Sequence, residues 1–356
     1  VGEVRAVSGL LAALKGQRPE LMICLSSMTA TGRQVASNMA AADLVIPFPF
    51  DSPRVMRNYL MQLSPRALIV VETELWPNML MEARELDIPV VIVNARMAER
   101  SFRRYARVQP FVKRVLEDVQ VLAMARADAE RFSRLGAEQV QTLGNLKLDM
   151  LSGADRTGRE GMRNSLGVSG RPVFIAGSIR EGEEEMVVEA VKSASSRIPG
   201  LFAILVPRHP QQVGYLSGLA RRGGFRWCLR SRMEKDIDLV IVDTMGELFG
   251  LYGASDAAFV GGSLVNLGGQ NILEPIAWEV PTIHGPHMGN FTWALELVDG
   301  CTVTVHDALS LADAVADIMT DPEKYRNMAR QARVLVEEHK GVTQRYLSML
   351  AGLLQP

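Results

Sequence analysis

The carboxylates that could move a proton fall in two short stretches of the first half of the chain. Glu3 follows the opening Val-Gly, and Glu72 and Glu74 lie in VETELWPN (71–78), directly after an apolar run. A carboxylate on a strand-end loop can take a proton from a hydroxyl as general base. It can also accept two hydrogen bonds from a sugar diol. Glu3 reads as such a base on a loop, with a solvated first-turn Glu as the plain alternative. Hydroxyls and amides come from SSMTATG (26–32). There Ser27, Thr29, Thr31 and Gly32 would hold a carboxylate or sugar hydroxyls, or serve as ordinary helix caps.

The second half carries groups suited to an anion. In GGSLVNLGGQNILEP (261–275), Gly268, Gly269, Gln270 and Asn271 present backbone N–H groups where a helix is expected to start. Glycine lets the backbone approach a ligand closely, and a helix N-terminus favours negative charge. The pattern is neither G-x-G-x-x-G nor a Walker loop. A tight strand-to-helix turn with no ligand explains it equally well. Glu274, one turn into that helix, fits a ribose diol or the first-turn preference for acids. VPRHP (206–210) supplies Arg208, whose fork matches phosphate oxygens, and His209 as a donor or a cap. DTMGEL (243–248) has Thr244 and Glu247 at capping-box spacing, with Met245 and Gly246 placed to pack against a base. AGSIREGEEE (176–185) puts Ser178 at another strand end before an acidic first turn, and GPHMGNF (285–291) offers His287 and Asn290 as contacts or caps. Five such turns after strands of one domain imply one shared ligand, a nucleotide whose phosphate meets Arg208 and the 268–271 turn. No His or Cys cluster has ligand spacing, so no metal is expected and Arg and helix ends are expected to balance the charge.

RMAERSFRRYARVQPFVKR (96–114) holds seven Lys or Arg against one Glu. It reads as a helix laying Arg100, Arg103, Arg104 and Arg107, with interleaved Phe102, Tyr105 and Phe111, on anionic lipid. A solvated basic face is the commoner origin of such a run. Over the whole chain the formal net charge is −1, which gives no field for nucleic acid. Cys24, Cys228 and Cys301 fit neither a zinc site nor a secreted disulfide framework, so a reducing, cytoplasmic setting is expected.

The elements that must position these groups alternate throughout the 356 residues. Strands are expected at 21–27, 43–48, 67–72, 89–95, 119–125 and 140–144, then at 172–178, 202–207, 238–243, 257–263, 281–285 and 301–305. Their continuous apolar runs imply burial on both faces, as in parallel sheets covered by helices. The fold class is α/β: two Rossmann-like, doubly wound domains facing across a cleft. Residues 1–150 form the first domain, and 151–171, polar with five glycines, a linker with room for one short helix. Residues 172–330 form the second domain and 331–356 a C-terminal helix. The chain enters at once on a helical pattern, so a first strand is expected to precede Val1.

ETELWPN, NAR (94–96), GNLKLD (144–149), VPRHP, DTMGEL, GGSLVNLGGQNILEP and GPHMGNF occur in this order. Together they resemble the bacterial Kdo transferases, the 3-deoxy-D-manno-octulosonic acid transferases of lipopolysaccharide synthesis, nearly end to end. The opening VGE looks like the tail of that family's Ser-x-Gly-Glu motif. The resemblance implies a GT-B fold whose last helix returns to the first domain. It implies inverting, metal-independent transfer from CMP-Kdo to a lipid A precursor (lipid IVA), with no cofactor. It also implies work at the cytoplasmic face of the inner membrane, with an N-terminal anchor ahead of Val1. By resemblance Glu3 is the catalytic base and Glu74 helps place a sugar. Arg208, the 244–247 turn, the 268–271 turn and Glu274 hold CMP. The family's pattern often carries His where this chain has Gln270. The alternatives are another GT-B glycosyltransferase or an epimerase using a uridine nucleotide, and a membrane-surface binding protein that kept the fold without catalysis.

Overall fold

The computed structural model describes residues 2–149 and 156–354. It divides into two compact units, one made of Val1–Met150 with His339–Pro356, the other of Leu151–Glu338.

In the first unit, β1 (Cys24–Ser27) and β2 (Leu44–Pro47) pair in parallel. A separate parallel sheet follows the order β3 (Leu68–Val71), β4 (Val90–Ala95), β5 (Val119–Ala123), β6 (Gln139–Thr142). β4 is buried along its whole length, as its unbroken VVIV run requires. β1 and β2 depart from the expected two-sided burial: Cys24 and Leu44 are exposed. The cause is topological, because this pair forms a two-stranded sheet of its own among the described residues. The core packs Met56, Leu60, Met79 and Leu80 of the helices Pro53–Leu63 and Pro77–Glu85 onto Val70, Ile92 and Val121.

Glu3 lies in the first turn of the helix Gly2–Gln17, not on a loop, and its side chain lies outside the described residues. That helix buries Val4, Val7, Leu10 and Leu14, a stripe at helical spacing, and packs against the helix Val342–Leu353. The GNLKLD stretch docks the latter helix. Asp149 accepts hydrogen bonds from Gly341 N (2.9 Å) and Thr343 N (2.6 Å) at its start. The buried Tyr346 hydroxyl accepts from Asn94 N (3.1 Å) and lies 3.1 Å from Gly144 O. Burial pushes that phenol well above its ordinary range. The chain changes unit at His339 and not at 331: the helix Pro322–Glu338 belongs wholly to the second unit, and Gly341, at φ +79°, begins the next helix.

The second unit is one parallel sheet ordered β13 (Val303–Thr304), β12 (Thr282–His284), β11 (Ala257–Val260), β7 (Val173–Ile179), β8 (Phe202–Pro207), β10 (Leu239–Ile241), β9 (Trp227–Leu229). β9 was not expected; three residues between glycines and arginines give too short a pattern to read. Apolar clusters cover both faces, one around Val187, Val191, Leu311 and Val315, the other around Val168, Tyr252 and Trp278. From β7 the chain winds outward through β8 and then restarts on the other side at β11. This places the switch point, where open α/β sheets take ligands, at the ends of β7 and β11. The expected linker is part of this unit. Its helix Arg156–Leu166 is held because Arg163 donates to Ala254 O (2.7 Å) and Arg171 O (2.6 Å), and Arg159 to Ser255 O (2.7 Å). Among the described residues no helix is long and apolar enough to cross a membrane.

Candidate functional site

In the second unit the expected turns all follow strand C-termini, but the glycine-rich stretch is built differently from its reading. Glu183, fully buried, lies beneath the turn after β11. Its carboxylate accepts from Gly262 N (2.6 Å), Ser263 N (2.8 Å), Leu264 N (2.8 Å) and Arg180 N (3.0 Å). Gly269 N donates to Gly262 O at 2.7 Å. The amides of 262–264 and 269 therefore face the protein itself. The glycines serve close packing of one turn on another. A Cβ on Gly268 would strike the Asn290 amide, one on Gly269 the Met288 sulfur, and one on Gly285 the Ser263 backbone. Gly268 and Gly269 also hold φ of +84° and +72°, which glycine adopts without strain. Asn290 is engaged here, its N–H donating to Gly268 O at 2.8 Å.

The helix expected after this turn is only Leu273–Ala277, five residues, so its dipole contributes little. Asn271 accepts from Leu273 N (3.2 Å) and donates to Glu274 (3.1 Å). Gln270 has no such partner among the described residues, and its side chain lies beside Gly262.

Arg208 is exposed after β8; its N–H donates to Ile179 O (2.9 Å), and its guanidinium pairs with no acid among the described residues. His209 N donates to Gln212 Oε1 (3.0 Å), which starts the turn Pro210–Gln212. Thr244 and Glu247 do not form a capping box. The helix Leu248–Gly253 begins after Glu247, whose carboxylate takes the Thr244 hydroxyl (2.7 Å) and Arg230 Nε (2.9 Å). Burial alone would raise that carboxyl, and these two donors hold it below the usual range. Met245, 81% exposed, and Gly246, at φ +88°, stand free beside them. Ser178 is buried at φ +57°, in a region that non-glycine residues rarely adopt. β7, β8 and β10 are neighbours, so Ser178, Arg208 and the 244–247 turn share one edge.

Sequence reasoning missed Arg180, half-buried after β7 with no acidic partner among the described residues, and it missed Glu183. An Asp-x-Asp pair stands at 236–238. That pair precedes β10 at the opposite edge, where Asp238 is engaged by Arg226 (2.7 Å) and Arg171 (3.4 Å).

In the first unit Glu72 follows β3 at φ +60°, and Lys147 of GNLKLD lies 3.5 Å from its carboxylate. Glu74 is half-buried with no partner for its carboxylate among the described residues, so the two acids are not equivalent. Lys147 was not singled out from the sequence, because its partner is 75 residues away. Asn94, fully buried at φ +52° where the β4–β5 register shifts, accepts from Leu146 N (3.1 Å). Thr29 is engaged as a cap: its hydroxyl accepts from Gly32 N (3.0 Å) at the start of the helix Ala30–Ser37. Gly32 is buried tightly against the Ser27 and Thr29 side chains, while Thr31 is exposed.

The basic stretch is two helices, Glu99–Ala106 and Gln109–Val115, not one. Arg100, Arg103, Arg104 and Arg107 line a surface groove of about 660 Å³. Phe102 is buried beneath Arg134, so of the expected aromatic contacts it cannot face a lipid; Phe111 and Val108 are half exposed.

The family model for 3-deoxy-D-manno-octulosonic-acid transferase (kdotransferase) matches residues 1–150. The 3-deoxy-D-manno-octulosonic acid transferase of Haemophilus influenzae is 31% identical over 365 residues, covering all of this chain and 86% of that one. That of Bordetella pertussis is 32% identical over 372 residues, covering 99% and 86%. Among solved structures, HepE of Anabaena in complex with UDP aligns over 98% of this chain and 96% of its own, with a TM-score of 0.69 and 16% identity, a likeness of fold. The UDP-GlcNAc 2-epimerase of Neisseria meningitidis does likewise, with a TM-score of 0.67 at 13% identity over 99% and 96%. The chain belongs to the 3-deoxy-D-manno-octulosonic acid (Kdo) transferase family and is a glycosyltransferase of the GT-B type.

Proposed function

We infer that the donor is CMP-Kdo, the acceptor a lipid A precursor such as lipid IVA, and the transfer inverting and independent of metal. The observation that carries the donor reading is the edge shared by β7, β8 and β10. It presents Arg208, whose guanidinium pairs with no acid among the described residues, next to an exposed Met245–Gly246 turn, which suits a phosphate beside a flat base. Glu247 and Glu274 lie among these turns and can accept from ribose hydroxyls, and Gln270 can donate to the phosphate.

In the reaction an acceptor hydroxyl attacks the anomeric carbon of Kdo while Glu3, as base, takes its proton. The bond from that carbon to the CMP phosphate oxygen breaks on the opposite face, and the electron pair stays with the phosphate. Arg208 meets the charge that builds there; preorganised donors of this kind are usually the largest catalytic contribution. Glu74, whose carboxylate has no partner among the described residues, is the acid suited to hold a sugar hydroxyl. The Arg100–Arg107 groove, with Phe111 and Val108 beside it in sequence, suits anionic lipid at the cytoplasmic face of the inner membrane.

The test is transfer of labelled Kdo from CMP-Kdo to lipid IVA, with and without EDTA. Labelled lipid in both arms is the expected result. No transfer by the wild type refutes the substrate assignment, and loss of transfer in EDTA refutes metal independence. Glu3→Ala should abolish transfer and leave CMP binding intact; unchanged turnover would remove Glu3 from the scheme.

A further inference from the structure

We propose that Arg180 binds the donor phosphate together with Arg208, and that Glu183 is the positioning residue that holds Arg180 and the glycine turn in place for it. This rests on the nucleotide reading of the site and adds a residue pair to it.

Arg180 and Arg208 follow adjacent parallel strands, and the Arg208 N–H donates to the carbonyl of Ile179, the residue just before Arg180. Two guanidinium-bearing residues thus leave neighbouring strand ends. Neither forms an ion pair among the described residues; for the exposed Arg208 that is ordinary, but Arg180 is half-buried, and the half-buried Arg163, Arg171, Arg230 and Arg333 of the same unit each pair with an acid. The acids that follow Arg180 do not neutralise it. Glu183 takes four backbone N–H groups, Glu184 takes Gly182 N and Gln212, Glu185 takes the Tyr215 hydroxyl, and Glu181 is exposed. An oxyanion held by both residues would gain a charge-assisted hydrogen bond from each.

The stem of Arg180 lies against Gly262. A Cβ there would come 3.2 Å from Arg180 Cγ and 3.5 Å from Gln270 Nε2, so the Arg180 stem and the Gln270 amide flank the same glycine. Glu183 sets this arrangement. One carboxylate oxygen takes both Arg180 N and Gly262 N, fixing the turn after β7 against the turn after β11. The other takes Ser263 N and Leu264 N. Three consecutive amides of this kind would otherwise make an anion nest. Here the protein's own carboxylate fills it, so the donor's phosphate must be met by side-chain cations, which is the role left to Arg180 and Arg208.

The experiment is calorimetric titration of CMP, and separately of inorganic phosphate, into wild type, Arg180→Ala, Arg180→Lys, Glu183→Gln and the Arg180→Ala/Glu183→Gln double variant. Thermal midpoints and the KM and kcat for CMP-Kdo are measured alongside. Arg180→Ala is expected to weaken CMP about tenfold or more. Its thermal midpoint should hold, and Arg180→Lys should restore part of the affinity. Glu183→Gln keeps the shape but turns one of the two acceptor oxygens into a donor, and should raise KM more than it lowers kcat. If it acts through Arg180, its effect on CMP shrinks in the Arg180→Ala background. Should Glu183→Gln not fold, Glu183→Asp takes its place in the cycle. CMP binding unchanged in Arg180→Ala overturns the phosphate assignment while the nucleotide reading stands. Wild type that ignores CMP yet binds phosphate through Arg180 overturns the nucleotide reading and keeps the oxyanion site. Additive effects of the two substitutions overturn the positioning role.

Discussion

Arg208→Ala separates binding from folding more cleanly than other substitutions on this edge. The Arg208 side chain is exposed and makes no ion pair among the described residues, while its backbone N–H, bonded to Ile179 O at 2.9 Å, survives the substitution. Folding should therefore change by no more than about 0.5 kcal/mol. Binding should change far more. A hydrogen bond to a charged group contributes about 1.5–3 kcal/mol, and each 1.4 kcal/mol is tenfold. CMP should bind about tenfold to about 150-fold more weakly by calorimetric titration. Arg230→Ala is the contrasting control. Its guanidinium pairs with the half-buried Glu247 at 2.9 Å, and its loss leaves that carboxylate with the Thr244 hydroxyl alone. There the thermal midpoint should fall, by the equivalent of about 1–3 kcal/mol. Equal CMP affinity in Arg208→Ala and wild type would refute the reasoning, as would a large loss of fold stability in Arg208→Ala.

Three further outcomes follow from the geometry. Gly285→Ala places a Cβ on the Ser263 and Leu264 backbone, which cannot move aside, so it should cost more than the about 1–3 kcal/mol usual for overpacking; at Gly289 an added Cβ meets none of the described residues within 4 Å, so Gly289→Ala should be near neutral, and melting curves of the two compare them. Asp149→Ala removes the acceptor for Gly341 N and Thr343 N, a cap worth about 0.5–2 kcal/mol, so amides of 342–353 should exchange about twofold to thirtyfold faster, with the helix Glu184–Arg197 unchanged. Burial holds the His284 imidazole below its ordinary value, so the folded state stays neutral where the unfolded chain takes a proton. Stability should be flat above about pH 6.5 and fall as pH drops from there toward the folded value; His284→Gln should flatten that slope in denaturation midpoints measured from pH 7.5 to 5.5.

Much of the architecture was legible because a buried parallel strand has to be an unbroken apolar run. PVVIVNA and PVFIAGS gave β4 and β7 almost to the residue. Where that rule has little chain to work on it fails: Trp227–Leu229 is three residues long. The rule also overstated burial for CLSS and LVIP, since an apolar run records a tendency to be covered and not the neighbours available to cover it. The helix Arg156–Leu166 read as a linker because its polar side chains bind carbonyls about 90 residues away, and a hydrogen bond of that kind leaves no periodicity.

The glycine-rich turn shows where reading by residue type reaches its limit. Gly-Gly-Ser after a strand has the same letters whether its amides hold a ligand or a side chain. The deciding residue, Glu183, is 79 positions from Gly262 and stands in an acidic run that reads as an ordinary first turn. Only the fold brings the two together. Once it does, the chemistry reverses. A stretch that looked like an anion site in its backbone has one that is already filled, and at the ends of β7 and β8 the positive charge with no acid partner among the described residues lies on Arg180 and Arg208. A Cβ at Gly261 would strike the end of β7, and one at Gly268, Gly269 or Gly285 a neighbouring turn, so these positions are fixed by packing. Arg180 packs only its stem, against Gly262, and among the described residues no acid engages the guanidinium of Arg180 or Arg208, which leaves both able to meet a phosphate.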